Sequence, residues 1–126
     1  MDEGVGGYVS YMVLGKSAAY KDSVAAWHRS QLEIARRALA EGKWLRLKNI
    51  SYVYDWNLAS AASPGLASAE AYVVVSYLVS AYGLEKCVST FQGVSHSGDA
   101  ELEVSTKFGI TFDQLEAAAQ AWLNAQ

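Results

Sequence analysis

Tyr20-Lys-Asp-Ser-Val24-Ala-Ala-Trp27-His28-Arg29-Ser-Gln-Leu32-Glu33-Ile-Ala35-Arg36-Arg37-Ala-Leu39-Ala40 reads as a long amphipathic helix that starts at about Ser17 or Tyr20. Tyr20, Val24, Trp27, Leu32, Ala35 and Leu39 form one apolar stripe, while Lys21, Arg29, Glu33 and Arg36 cover the opposite face. Glu41-Gly42-Lys43 supplies the stop, with a glycine suited to a left-handed cap. The same 3.6-residue period recurs on both sides. Toward the N-terminus, Asp2 to about Leu14 reads as a first helix, with Val5, Tyr8, Val9 and Met12 at helical spacing. Gly4, Gly6 and Gly7 each weaken it by roughly 1 kcal/mol relative to alanine, so they point to close backbone approach by a neighbour. Gly15-Lys-Ser17 ends it.

Toward the C-terminus, about Leu66 to Tyr82 reads as helix: its length and the Gly83 stop outweigh the strand propensity of Val73-Val74-Val75. Val74, Tyr77, Leu78 and Ala81 then share a face. Leu84 to about Gln92 follows, with Leu84, Cys87, Val88 and Phe91 at helical spacing. A short helix capped by Ser97 or Asp99 runs to Phe108. Thr111-Phe-Asp-Gln114 is a capping box that opens a last helix carrying Leu115, Ala118, Ala119, Trp122 and Leu123 inside. Between these halves, Ile50, Tyr52, Tyr54 and Trp56 alternate with period two, but no partner strand exists. Trp44 to Trp56 is therefore read as an extended, aromatic-rich connection, and Leu58 to Gly65 as a loop. The expectation is a single all-α domain over residues 1–126, about six helices in an orthogonal array with short turns.

With 126 residues, 52% hydrophobic and 18% charged, the chain is long enough and apolar enough to bury one core. A formal charge of -3 and a lone adjacent basic pair, Arg36-Arg37, argue against nucleic acid as a partner. No apolar run approaches the ~20 residues of a membrane span, and no signal peptide is visible at Met1-Asp-Glu-Gly-Val5. Cys87 is the sole cysteine, which excludes an intramolecular disulfide and fits a reducing, by default cytoplasmic, compartment.

Several short segments carry a family likeness. Tyr77-Leu78, Ala81-Tyr-Gly-Leu-Glu-Lys86, Phe108-Gly-Ile-Thr111, Leu115-Glu116 and Trp122-Leu123 occur in that order. Met1-Asp-Glu-Gly-Val5 is similar to a Trp-x-x-Glu-Gly-x-Ala segment, and Ala38-x-x-Glu41-Gly-x-Trp44-x-x-Leu47 to a connection after the following helix. Together they resemble the C-terminal helical subdomain of gluzincin-type zinc metallopeptidases. That resemblance implies Glu3 as the third zinc ligand, on the helix that follows the family's His-Glu-x-x-His helix. This sequence has no His-Glu-x-x-His motif, and that motif supplies two ligands and the general base. The family's transition-state tyrosine would fall near Ser68, with Tyr72 one turn later. No cofactor is therefore expected for this chain alone, and zinc only where the missing helix is supplied.

Other residues have plain readings. His28, beside Trp27 on the long helix, is a boundary residue between its two faces, His96 an exposed turn residue and Cys87 a buried small hydrophobe. Three functions are open. The chain is a non-catalytic module derived from such a peptidase, or a piece of an active one completed by its metal-binding helix. A third class is an enzyme of unrelated mechanism that uses Asp55, Glu70 or His28 beside the aromatic residues of 44–56. In the family the first helix packs on the metal-binding helix. Without that neighbour Val5, Tyr8, Val9 and Met12 are left partly uncovered, so a homodimer through the first helix is expected.

Overall fold

The computed structural model describes residues 2–50 and 53–126; the side chains of residues 2, 3 and 53–55 lie outside that description. Among the described residues there are seven α-helices, one turn of 3-10 helix and no strand. The helices are α1 (Asp2–Leu14), α2 (Lys21–Ala40), α3 (Val53–Ala62), α4 (Leu66–Tyr82), α5 (Leu84–Ser97), α6 (Ala100–Phe108) and α7 (Phe112–Asn124).

α4 is the axis of the molecule. Eleven of its seventeen residues are buried, including Glu70 to Ser76 without a break. It packs against α1, α2, α3, α5 and α7. A helix surrounded on all sides needs no polar face, which is why Val73-Val74-Val75 is tolerated here: burial of the branched side chains outweighs their preference for strand. The array is closed by α7 and α6. Leu115, Ala119 and Leu123 of α7 and Val104 of α6 reach the core completely, next to Leu78 and Cys87. The start of α7 follows the sequence pattern: the Thr111 hydroxyl accepts from Gln114 N–H, and the Gln114 side chain accepts from Thr111 N–H. Asp99 caps α6 by accepting from Leu102 N–H at 3.0 Å.

The α1 glycines divide into two kinds. A Cβ on Gly4 would lie 2.4 Å from the Ala71 carbonyl oxygen, and one on Gly7 3.0 Å from the Trp27 ring. Those two let α1 lie directly on α4 and α2. Gly6 has nothing within 4 Å of the place a Cβ would occupy. α5 continues to Ser97, five residues past the expected end near Gln92, and the Glu103 side chain of α6 lies against Gly93 where a Cβ would stand.

The connection after α2 is shorter than the alternation suggests. Leu47–Asn49 is a 3-10 turn and α3 begins at Val53, so Trp56, Leu58 and the alanines that follow are helical. The extended connection therefore does not run on to Trp56, and 58–62 is not loop. A solitary strand would leave its amides and carbonyls without partners, whereas a helix satisfies them internally. Trp56, Ala59 and Ser60 are its half-buried residues. Tyr52, which belongs to the alternation, lies outside the described residues.

Candidate functional site

An aromatic cluster fills the junction of α1, α2 and α4. The Tyr72 ring is buried, and its hydroxyl shares a hydrogen bond with His28 Nδ1. Tyr11 of α1 stacks on the His28 ring at 4.5 Å, and Trp27 meets the Tyr72 ring edge to face at 4.9 Å. Burial, with Arg29 and Arg36 nearby, lowers the His28 pKa, and burial raises that of Tyr72. Both groups are thus held neutral around pH 7. Their hydrogen bond satisfies a phenol that would otherwise be stranded in the core. Tyr72 offers no free hydroxyl to a cleft, and Ser68 is half-buried on the same helix. The cluster pins three helices together.

The charged residues considered for chemistry do not join it. Glu70 lies two residues before Tyr72, roughly 200° around the helix. Its Oε1 accepts from Leu45 N–H at 2.8 Å. Glu116 of α7 accepts from Leu47 N–H through Oε1 and from Arg46 Nε at 3.0 Å through Oε2. Arg46 also pairs with Asp113 at 2.7 Å. Two carboxyl groups from two helices thus hold alternate amides of one stretch, and neither spacing nor composition announces the pair. The visible signal is Glu70 itself, a lone acid in the otherwise apolar run Ala69–Val75. The Asp55 side chain lies outside the described residues. The Cys87 thiol is fully buried and pushed up to about 11 by that burial, so it is a packing group rather than a nucleophile. Lys86 points elsewhere, 5.5 Å above the Tyr82 ring. His96 is exposed in the last turn of α5.

The surface offers more. Val9, Met12 and Val13 are 46%, 39% and 61% exposed and lie along one outer side of α1, with Val5 half-buried at its start. Tyr8, expected among them, turns inward onto the core, because it sits about 100° from Val9 around the helix. Beside this ridge runs an open groove of about 420 Å³ between α1 and α2, lined by Gly6, Ser10, Leu14, Tyr20 and Trp27 among others. Tyr20 and Trp27, read as members of the α2 core stripe, line this groove instead, with Tyr20 exposed.

The Glu3 side chain, the candidate zinc ligand, lies outside the described residues. Among the described residues no three His, Cys, Asp or Glu side chains converge in a metal-binding arrangement, and no helix is long and apolar enough to cross a membrane. No family model matches the chain, and comparison with curated proteins and with solved structures returns no match.

Proposed function

We propose that this chain is a non-catalytic helical interaction module that self-associates through α1, two copies packing antiparallel about a two-fold axis. The observation that carries this reading is the exposed ridge Val9–Met12–Val13 beside a groove floored by Gly6 and Ser10. Apolar ridges of this kind on a folded domain are covered in use. From Gly4 to Gly15 the helix carries no charge, so two copies meet without like-charge repulsion. Gly6 supports the same arrangement: among the described residues nothing lies within 4 Å of the place its Cβ would occupy, which gives a second helix room to approach. A thirteen-residue helix is roughly 20 Å long, too little surface alone for the ~1,200 Å² of a stable interface. The ridge of each copy therefore also fills the groove of the other, against Leu14, Tyr20 and Trp27. The gluzincin resemblance is kept as a proposal of lineage, with the second copy covering the face of α1 that the family's metal-binding helix covers.

Sedimentation equilibrium across a concentration series tests this. The expected result is a reversible monomer–dimer equilibrium that the double substitution Val9→Ser, Met12→Ser shifts at least tenfold toward monomer, with the helical circular dichroism unchanged. A monomer at every concentration overturns the reading. Stoichiometric tight zinc on this chain alone sinks the alternative that it is a piece of a metallopeptidase whose metal-binding helix lies elsewhere.

A further inference from the structure

Glu70 sits in the most buried stretch of α4, with 0% of its surface open to solvent. One carboxyl oxygen holds the Leu45 amide, and the other, Oε2, has no hydrogen-bond partner. Its neighbour in function, Glu116, is placed differently: it holds the Leu47 amide and has the Arg46 guanidinium on its second oxygen. The two carboxyls thus grip successive inward amides of one stretch, but only one of them has a cation. Arg46 is committed to Glu116 and to Asp113 on the outer side.

What covers Glu70 matters. α4 and α7 are fixed by the core: Leu78, Leu115 and Leu123 are wholly buried between them and their neighbours. The 43–46 stretch has no regular structure, and the turn after it is three residues of 3-10 helix. Its anchors are the half-buried Trp44 and Leu45 and the buried Leu47 and Ile50. If Glu70 loses its proton, the cheapest way to hydrate the new charge is to lift this stretch rather than to separate a pair of packed helices.

We infer that Glu70 is a proton-operated latch on residues 44–50: while its carboxyl is neutral the stretch stays seated over it against α4 and α7, and when the proton leaves, the cost of an enclosed charge outweighs the Leu45 N–H bond and the stretch lifts as a unit. Among the described residues, α7 presents Glu116, which opposes a second negative charge, and the stretch itself presents Arg46, already paired, and the exposed Lys48. On α5, Lys86 lies over the Tyr82 and Phe108 rings, and the Asp55 side chain of α3 lies outside the described residues. α1 meets α4 at Ala71, Tyr72 and Val75, with Tyr8 and Tyr11, and α2 meets it with His28 at Tyr72. Burial, partly offset by the Leu45 amide and reinforced by Glu116, pushes the Glu70 carboxyl up to about 8.

The sign follows. The closed form keeps a proton that the open form, with a carboxyl near its ordinary ~4.3, gives up. Closure is therefore strongest below about pH 4.5, weakens as pH rises, and levels off above about 8.

Hydrogen exchange on the full chain by NMR tests this, with the Leu45 and Leu47 amides as reporters and Ala119 in the α7 core as control. Protection at the reporters, corrected for intrinsic exchange, is expected to fall about tenfold per pH unit between pH 5 and 7, while Ala119 stays level. Glu70→Gln, which keeps the acceptor and cannot ionise, is expected to flatten the reporters. If that variant does not fold, the ¹³C titration of the Glu70 carboxyl in the unaltered chain decides, with a midpoint well above the ordinary carboxyl range expected. Reporter protection independent of pH, a Glu70 midpoint in the ordinary range, or Ala119 falling in parallel each overturns the latch.

Discussion

At one end of the chain α7 removes Leu115, Ala119 and Leu123 completely from solvent, while Asp113, Gln114, Ala117 and Ala121 face outward. At the other end α1, also thirteen residues, puts Gly4 inside and keeps Val9, Met12 and Val13 in solvent. α7 contains a hydroxyl cap, an acidic first turn and an apolar stripe, each with its partner in the same chain. α1 has glycines and an uncharged middle, and its outer apolar ridge has no cover from the chain's described residues. The difference teaches that a helix whose polar and apolar residues are segregated declares its inner face. A helix apolar on every side does not.

The contrast can be broken or sharpened by substitution. The largest effect is expected at Leu123→Ala, which empties a fully enclosed site and should cost about 2–5 kcal/mol in urea unfolding. If that substitution costs less than Gly4→Ala, α7 is not the better-anchored helix. Gly4→Ala should destabilise by about 1–3 kcal/mol, because its methyl group meets the backbone of Ala71 and α1 must lift off α4. Thermal unfolding of the monomer at low concentration measures it. The smallest effect has the opposite sign. Gly6→Ala meets open space in a helix, so monomer stability should rise by about 0.5–1 kcal/mol. The same methyl group should weaken dimerisation, which sedimentation of that variant reads directly. A variant that is stabilised and dimerises more tightly would detach Gly6 from the proposed interface.

Much of the fold is legible in the sequence because its signals are local. The α2 stripe, the Thr111–Gln114 capping box, the Asp99 cap and the Gly83 and Gly109 stops each depend on residues a few positions apart. The close approach at Gly4 and Gly7 is also foreshadowed, since glycine in a helix costs stability that some contact must offset. α3 is not legible. Aromatic alternation at 50–56 imitates a strand, and the helix is favoured by the lack of any strand to pair with, which is a property of the whole chain. The carboxyl grip on Leu45 and Leu47 is hidden for a related reason. It joins residues 25 and 69 positions apart through backbone amides, which carry no residue identity. His28 reads as a boundary residue on the long helix, and it is half-buried there, but its hydrogen bond to Tyr72, 44 residues away, needs the packing of α2 on α4.

By itself the sequence determined an all-helical chain, the limits of most of its helices, the inward face of α7 and the Val24, Leu32 and Ala35 part of that of α2. Periodicity, caps and stops act within one or two turns, so they are written where they act. The tertiary structure decided which side of α1 stays bare and that Tyr8 turns inward while Val13 joins the ridge. It also decided that Glu70 is enclosed with one carboxyl oxygen unpartnered. These depend on which surfaces meet across the chain. α4 collects five other helices around it, and what it covers leaves the remainder exposed.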